Sequence, residues 1–348
     1  MLFVPILLFA LGLVVLIKGG DWFVDGATGI ARRFKLPELL IGATVVSIGT
    51  TLPEVMVSAT SAVAGHGDIA YGNAIGSIIC NTSLIAALTV AIRPSKVERK
   101  SLLIPVTFFF IAAIVYVGVA YLGAEFSRLI GVILLGIFLI YMTFTVLSMK
   151  KDDGGCSVND DEPEENEGMS DEEYKSLSRG KKLLAHIKGT RATPVREVLL
   201  LIIGATLIAW GADLLVDNGI IIAEYLGVPE SVIALTFVAL GTSLPELVTA
   251  ITSLVKGHSS LSLGNIIGAN LFNLVLVSGV SIVLSPFKVP VGSTIGGMNA
   301  SLVIDLPVML AVMLILTVPA LIRGKLSRVQ GICLLAIYAA FCSVQFIM

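Results

Sequence analysis

The sequence predicts an all-α polytopic membrane protein: ten transmembrane helices, arranged as two inverted five-helix repeats with broken helices at the centre. Three observations predict it. The chain is 56% apolar and 14% charged over 348 residues, more apolar surface than a water-soluble fold can hide. Apolar runs of the length that crosses a bilayer, roughly 18–25 residues, recur ten times. And the chain matches itself without a gap at an offset of 192 residues.

The runs fall at about 2–18, 38–65, 69–92, 102–123, 127–148, 195–216, 231–256, 259–284, 303–322 and 327–347. The first and sixth extend past their apolar cores, because residues 19–31 and 217–223 still read as helix. Met1 to Ile17 has no basic start and no A-x-A site, so it reads as a retained span rather than a signal peptide. Between the fifth and sixth runs the composition turns polar: residues 150–193 carry Asp160-Asp161-Glu162 and Asp171-Glu172-Glu173, then Arg179, Lys181 and Lys182. This is a solvated linker, and it lacks the spacing of an EF-hand calcium loop. The expected organisation is a first repeat over 1–149, the linker over 150–193, and a second repeat over 194–348.

Basic residues orient the spans. Of the 23 Lys and Arg, 21 fall in alternate connections, and only Arg128 and Lys288 fall in the others. Basic loops stay on the cytoplasmic side, which places the linker in the cytoplasm and both termini outside. A missed span would scramble this asymmetry.

The self-match pairs Asp21 with Asp213, Asp25 with Asp217, Pro37 with Pro229 and Glu38 with Glu230. In the same frame Gly49-Thr50 meets Gly241-Thr242, and Leu52-Pro53-Glu54 meets Leu244-Pro245-Glu246. Gly65-His66 meets Gly257-His258, Gly72-Asn73 meets Gly264-Asn265, Gly76 meets Gly268, and Asn81 meets Asn273. Each copy holds five spans, an odd number, so the second runs upside down relative to the first. The charges follow: Arg32, Arg33 and Lys35 in the first copy become Glu224, Tyr225 and Gly227 in the second. Inverted repeats place a transport site near the bilayer midplane, where the copies meet.

Glu54 and Glu246 sit at about that depth, each one residue after a proline. A charge there costs roughly 2.5–3.5 kcal/mol on insertion scales and marks a functional site by default. Pro53 and Pro245 lack an N–H and crowd the carbonyls of Gly49 and Gly241, so a helix break is expected at each. Non-helical backbone at that depth needs a partner, and hard cations take oxygen ligands. Neutral oxygens stand close by: Thr50, Thr51, Thr242 and Ser243 at the breaks, then Asn73, Ser77, Asn81, Asn265 and Asn273 on the following spans. Asn73, Ser77 and Asn81 recur every four residues and share a helical stripe. Gly72, Gly76, Gly264 and Gly268 let helices approach closely.

The remaining polar residues read as structural. Asp21, Asp25, Asp213 and Asp217 lie near membrane boundaries as solvated or capping acids, and Asp305, before Leu306-Pro307, reads as the N-cap of the ninth span. Cys80, Cys156, Cys333 and Cys342 show no paired or metal-type spacing, and His66, His186 and His258 sit in connections. No nucleophile motif, Walker loop or basic nucleic-acid patch is present, so no enzyme, cofactor, nucleic acid or obligatory protein partner is expected.

The two G-[ST]-[ST]-L-P-E blocks and the two G-N-x-x-G blocks resemble the alpha-repeats of the calcium/cation antiporter superfamily, in particular its prokaryotic sodium/calcium exchanger branch. The motifs lie within about 38–84 and 230–276, and the likeness covers both halves without the linker. The resemblance implies Ca²⁺ held by Glu54, Glu246, Thr50 and Thr242. It implies Na⁺ on the same carboxylates and threonines, on Thr51, Ser77 and Ser243, and on carbonyls near Ser47 and Ala239, with Asn73, Asn81, Asn265 and Asn273 lining the site. The membrane would be the plasma membrane of a prokaryote. Ala269 departs from the pattern, standing where Ser77 stands in the first copy. Asn273 replaces the aspartate of potassium-dependent relatives, and Gly76 and Gly268 replace the glutamate of proton/calcium exchangers. Asn273 argues against potassium cotransport, and the two glycines favour Na⁺ over protons. The alternatives to Na⁺/Ca²⁺ antiport are proton/cation exchange through the same glutamates and, behind it, a passive cation channel or a membrane-embedded enzyme, the enzyme disfavoured by the missing nucleophile or metal cluster.

Overall fold

The computed structural model describes residues 2–34, 36–123, 125–151, 194–225, 241–291, 294–295 and 298–347. Residues 152–193, the body of the expected linker, lie outside the described residues, as do 226–240, which hold Ala239, Pro229, Glu230 and the first part of the seventh span.

Ten helices follow one another along the described residues. They are α1 (Phe3–Arg33), α2 (Glu38–Val63), α3 (Gly67–Ile92), α4 (Arg99–Tyr121), α5 (Arg128–Lys151), α6 (Pro194–Tyr225), α7 (Leu244–Val255), α8 (Ser259–Leu284), α9 (Ser301–Arg323) and α10 (Arg328–Ile347). Among the described residues, nine are long and apolar enough to cross a bilayer, and α7 is the short remainder of the seventh. The expected extensions of the first and sixth spans are present, to Arg33 and Tyr225. A two-residue antiparallel hairpin, β1 (Thr294–Ile295) with β2 (Met298–Asn299), lies before α9.

The inversion is visible in how equivalent helices pack. Glycines at 12, 19 and 26 of α1 share one stripe. A Cβ on Gly12 would meet Gly211 O and Leu215 N at 2.9 Å, one on Gly19 would meet Ile208 N at 2.8 Å, and one on Gly26 would meet Glu197 O at 2.6 Å. Small residues thus bring the backbones together, and α1 and α6 run antiparallel. Gly204 and Gly211 of α6 return the same contacts against Phe23 and Leu16. The turns after α2 and α7 have the same shape, with Gly65 and Gly257 both at φ +88°. The halves also clasp each other: Lys96 pairs with Lys325, and Phe126 with Phe287, as single antiparallel bridges between loops of different copies.

Helices α3 and α8 are buried along most of their lengths, while α1, α5, α6 and α10 are largely exposed apolar surface, as lipid-facing helices are. The core between them is apolar, with Tyr71, Phe109, Tyr116, Phe126 and Phe272 packed around α3, α4 and α8.

Two expectations need revision. Helix α2 does not break at Pro53; Ser47–Val63 is continuous through it. A proline's φ is itself helical, so it removes one bond without obliging the ladder to stop, and the irregularity is instead a π-helical turn over Gly42–Val46. In the second copy the break is present: Thr242 and Ser243 form a turn, and α7 starts at Leu244 with Pro245 in its first turn. Asp305 is not an N-cap, because α9 begins upstream in a π-turn over Ser301–Asp305; Asp305 instead accepts a bond from Gln345 Nε2 at 2.8 Å. Of the two readings of Asp21 and Asp25, solvated or capping, the solvated one holds: both are interior to α1 and partly exposed, and both pair with Lys256, at 3.5 and 2.8 Å. Close approach at glycine holds for Gly264 against Leu39 O and Gly268 against Ala43; at Gly72 and Gly76 the equivalent partner positions, 231 and 235, lie outside the described residues.

Candidate ion site

Helices α2 and α3 of the first copy and α7 and α8 of the second supply the site. Position along each helix explains which side chains meet. Thr50, Thr51 and Glu54 lie on one face of α2, and all are buried. In α3 and α8 the ladder shifts to π-turns that begin at the equivalent residues, Asn81 and Asn273. Such turns concentrate at functional positions in helices.

Hydrogen bonds across the two copies hold the frame. Thr50 Oγ1 donates to Asn265 Oδ1 at 3.2 Å, and its counterpart Thr242 Oγ1 donates to Asn73 Oδ1 at 3.3 Å. Ser47 Oγ donates to Gly42 O at 2.8 Å and to Asn265 O at 2.9 Å. Asn73 Nδ2 donates to Ser58 Oγ at 2.8 Å and to Glu54 O at 3.2 Å. Asn73 and Asn265 are therefore braces between helices, with no more than part of their capacity left for an ion.

Inside this frame the polar atoms have no partner. Glu54 and Glu246 are fully buried, and none of their four carboxylate oxygens has a hydrogen bond among the described residues. The same is true of Thr51 Oγ1, Ser243 Oγ and both amide atoms of Asn81 and Asn273. Glu246 is an electrostatic neighbour of Glu54 and lies beside the Thr50 and Thr51 hydroxyls. Buried polar groups are otherwise satisfied, so this concentration of carboxylate, hydroxyl and amide oxygens without partners among the described residues is a candidate cation site. Among the described residues no three His, Cys, Asp or Glu side chains cluster as a metal site; two carboxylates plus neutral oxygens is the donor set, which suits hard ions that exchange. Ser77 is buried on the same α3 stripe, and Ala269 is buried at its place on α8. A small pocket lined by Phe23, Gly49, Thr50, Pro53, Ala205, Ile208, Ala209 and Pro245 lies between the site and the α1–α6 pair.

Two participants were missed in the sequence. Ser58 holds Asn73, and its position one turn after Glu54 was the available signal. Cys80, read as packing, lies beside Ser243 and Glu246 and contacts Tyr338 Oη at 3.9 Å; nothing in its spacing distinguishes it. The expected ligand near Ala239 lies outside the described residues.

Comparison with known proteins gives one answer. The family described as sodium/calcium exchanger protein matches residues 4–147 and 196–347. An uncharacterized membrane protein of Methanocaldococcus jannaschii is 33% identical over 95% of this chain and 94% of its own. The sodium/calcium exchanger MaX1 of Methanosarcina acetivorans is 31% identical over 99% of both chains. Among solved structures, the sodium-calcium exchanger NCX_Mj superposes with a TM-score of 0.73 and 31% identity, over 98% of each chain. With the paired carboxylates already in place between inverted copies, these matches make the chain a member of the sodium/calcium exchanger family.

Proposed function

We propose that this protein is a secondary antiporter that exchanges Na⁺ for Ca²⁺ by alternating access, with Glu54 and Glu246 as the shared anionic ligands. The observation that carries this reading is the set of four buried carboxylate oxygens without partners, with Thr50 and Thr51 beside Glu246 and with the unpartnered polar side chains of Ser243, Asn81 and Asn273 on the same helix segments. One Ca²⁺ balances two carboxylates, with Thr50 and Thr242 completing its shell. Several Na⁺ replace it by sharing the carboxylates with Thr51, Ser77, Ser243 and the carbonyls near Ser47 and Ala239.

Coupling follows from desolvation. Two buried negative charges without a cation are too costly to carry through the closed intermediate, so the protein changes sides only when loaded, and ions are exchanged rather than leaked. If more than two Na⁺ move per Ca²⁺, each net charge is worth roughly 2.3 kcal/mol per 100 mV. The distribution of Lys and Arg supports both termini outside and the linker in the cytoplasm of a prokaryotic cell.

The test is ⁴⁵Ca²⁺ uptake into proteoliposomes loaded with Na⁺. A Na⁺ gradient should drive uptake, and dissipating it should stop uptake. Equal uptake driven by a pH gradient without Na⁺ would transfer the assignment to proton/calcium exchange.

A further inference from the structure

Buried helical hydroxyls in this protein ordinarily donate to the carbonyl four residues earlier. Thr44, Thr82, Ser83, Ser281 and Thr317 all do so. Six buried Ser and Thr hydroxyls among the described residues have no partner. Thr51 and Ser243 belong to the ion site, and Thr145 stands apart on α5. The other three, Thr249, Ser253 and Ser262, are at most 2% exposed and sit on the two helices of one hairpin.

Thr249 and Ser253 follow Glu246 at three and seven residues, on the same face of α7. Ser262 precedes Asn265 by three on α8. The turn between the helices is tight: His258 N–H donates to Ser253 O at 2.7 Å, and Ser262 N–H donates to His258 O at 3.2 Å. The first copy shows which faces meet in such a hairpin, because Asn73 reaches Glu54 O and Ser58 Oγ. In the second copy the Ser58 position is Ala250, and Asn265 Nδ2 is left buried and without a partner. A polar lane thus descends from Glu246 toward the turn, where His258 Nδ1 meets Glu38 Oε1 at 2.7 Å. The lane is one-sided. At the positions matching Thr249, Ser253 and Ser262 the first copy has Val57, Ser61 and Ala70.

Resting on the exchange reading above, we propose that Thr249, Ser253 and Ser262 form a staging site for Na⁺ between the carboxylate pair and the face that bears Arg33 and Lys256, the cytoplasmic face in that reading. The site is a way-station for a partly hydrated monovalent cation. Its hydroxyls are neutral, whereas Ca²⁺ takes six to eight oxygens with carboxylates among them.

The experiment uses the full chain in proteoliposomes of known orientation, with Na⁺ titrated on one face at a time during ⁴⁵Ca²⁺ exchange. In the triple variant Thr249→Val, Ser253→Ala, Ser262→Ala, half-maximal Na⁺ on the cytoplasmic face should rise about fivefold, the equivalent of one net hydrogen bond. The outer-face value and half-maximal Ca²⁺ should stay at wild-type levels. An unchanged cytoplasmic value, an equal rise on both faces, or a parallel rise for Ca²⁺ would overturn the staging site. If the triple variant does not fold, Ser253→Ala and Ser262→Ala are compared singly. The gain variant Val57→Thr with Ala70→Ser should lower half-maximal Na⁺ on the outer face. Absence of Na⁺-driven flux in the wild type would instead count against the exchange reading itself.

Discussion

The Thr50 hydroxyl of the first copy bonds Asn265 of the second at 3.2 Å, and the reciprocal bond from Thr242 to Asn73 measures 3.3 Å. Each threonine sits four residues before its own glutamate, so each copy positions its carboxylate by leaning on the other. A site shared in this way cannot form within one half. It also makes the two braces readable separately from the proposed ligands, because Asn73 and Asn265 bond between helices while Glu54 and Glu246 have no hydrogen-bond partner among the described residues.

Replacing Glu54 or Glu246 by Gln should abolish Ca²⁺ exchange and leave the fold intact. The glutamine keeps the shape and removes the charge that balances the ion. Wild-type protein should be stabilised by Ca²⁺ through mass action, by about 2.7 kcal/mol at a hundredfold excess over Kd. Thermal unfolding of the purified double variant should show no Ca²⁺ response. A retained response would place the ion elsewhere.

Asn73 has a side-chain acceptor in Ser58, whereas Asn265 faces Ala250 at the equivalent position and its Nδ2 is unpartnered. Ala250→Ser should therefore stabilise the protein by about 0.6–1 kcal/mol, the scale of a hydrogen bond between membrane helices, and Ser58→Ala should destabilise it by a similar amount. Thermal unfolding in detergent measures both. Opposite signs at these two positions are the expected signature.

Much of this fold was legible because membrane insertion constrains sequence so strongly. Apart from the start of the seventh span, which lies outside the described residues, span ends from 38 to 284 agree with the helices to within a few residues once the sixth span's expected extension is counted, and paired Gly65 and Gly257 adopt one conformation. Glu54 and Glu246 stood out because a carboxylate in an apolar run has few structural explanations. What was not legible depended on long-range packing. Pro53 predicts a break because its lost hydrogen bond is a local fact, while its tolerance in a continuous α2 depends on the surroundings. Asp305 resembles a cap in its local sequence, while its bonding partner, Gln345, lies forty residues away. Lys256 counted only as a loop charge, yet it grips Asp25 Oδ1 and Asp21 O, each at 2.8 Å.

The contact between α1 and α6 leaves no room for side chains at its glycines. A Cβ at Gly19 would lie 2.8 Å from Ile208 N and 3.0 Å from Gly204 O, atoms of the backbone that cannot rotate away. Gly19→Val should force the helices apart and destabilise the protein by about 1–3 kcal/mol, the usual penalty of overpacking. Gly118, with no described atom within 4 Å of its Cβ, is the control, and Gly118→Ala should be neutral or slightly stabilising in the same unfolding assay.

Ala269 is buried on the α8 face between Asn265 and Asn273, where the first copy has Ser77 between Asn73 and Asn81. The second half of the site thus has one neutral oxygen fewer. Such an oxygen contributes little to Ca²⁺, whose binding is dominated by the two carboxylates, and proportionately more to a monovalent ion held mainly by neutral donors. Ala269→Ser should lower the Na⁺ concentration for half-maximal ⁴⁵Ca²⁺ exchange by about fivefold, with half-maximal Ca²⁺ changed by less than about twofold. The reciprocal change, Ser77→Ala, should raise half-maximal Na⁺ by a similar factor. Equal shifts for both ions in either variant would mean that the serine position acts on the whole site and carries no Na⁺ of its own.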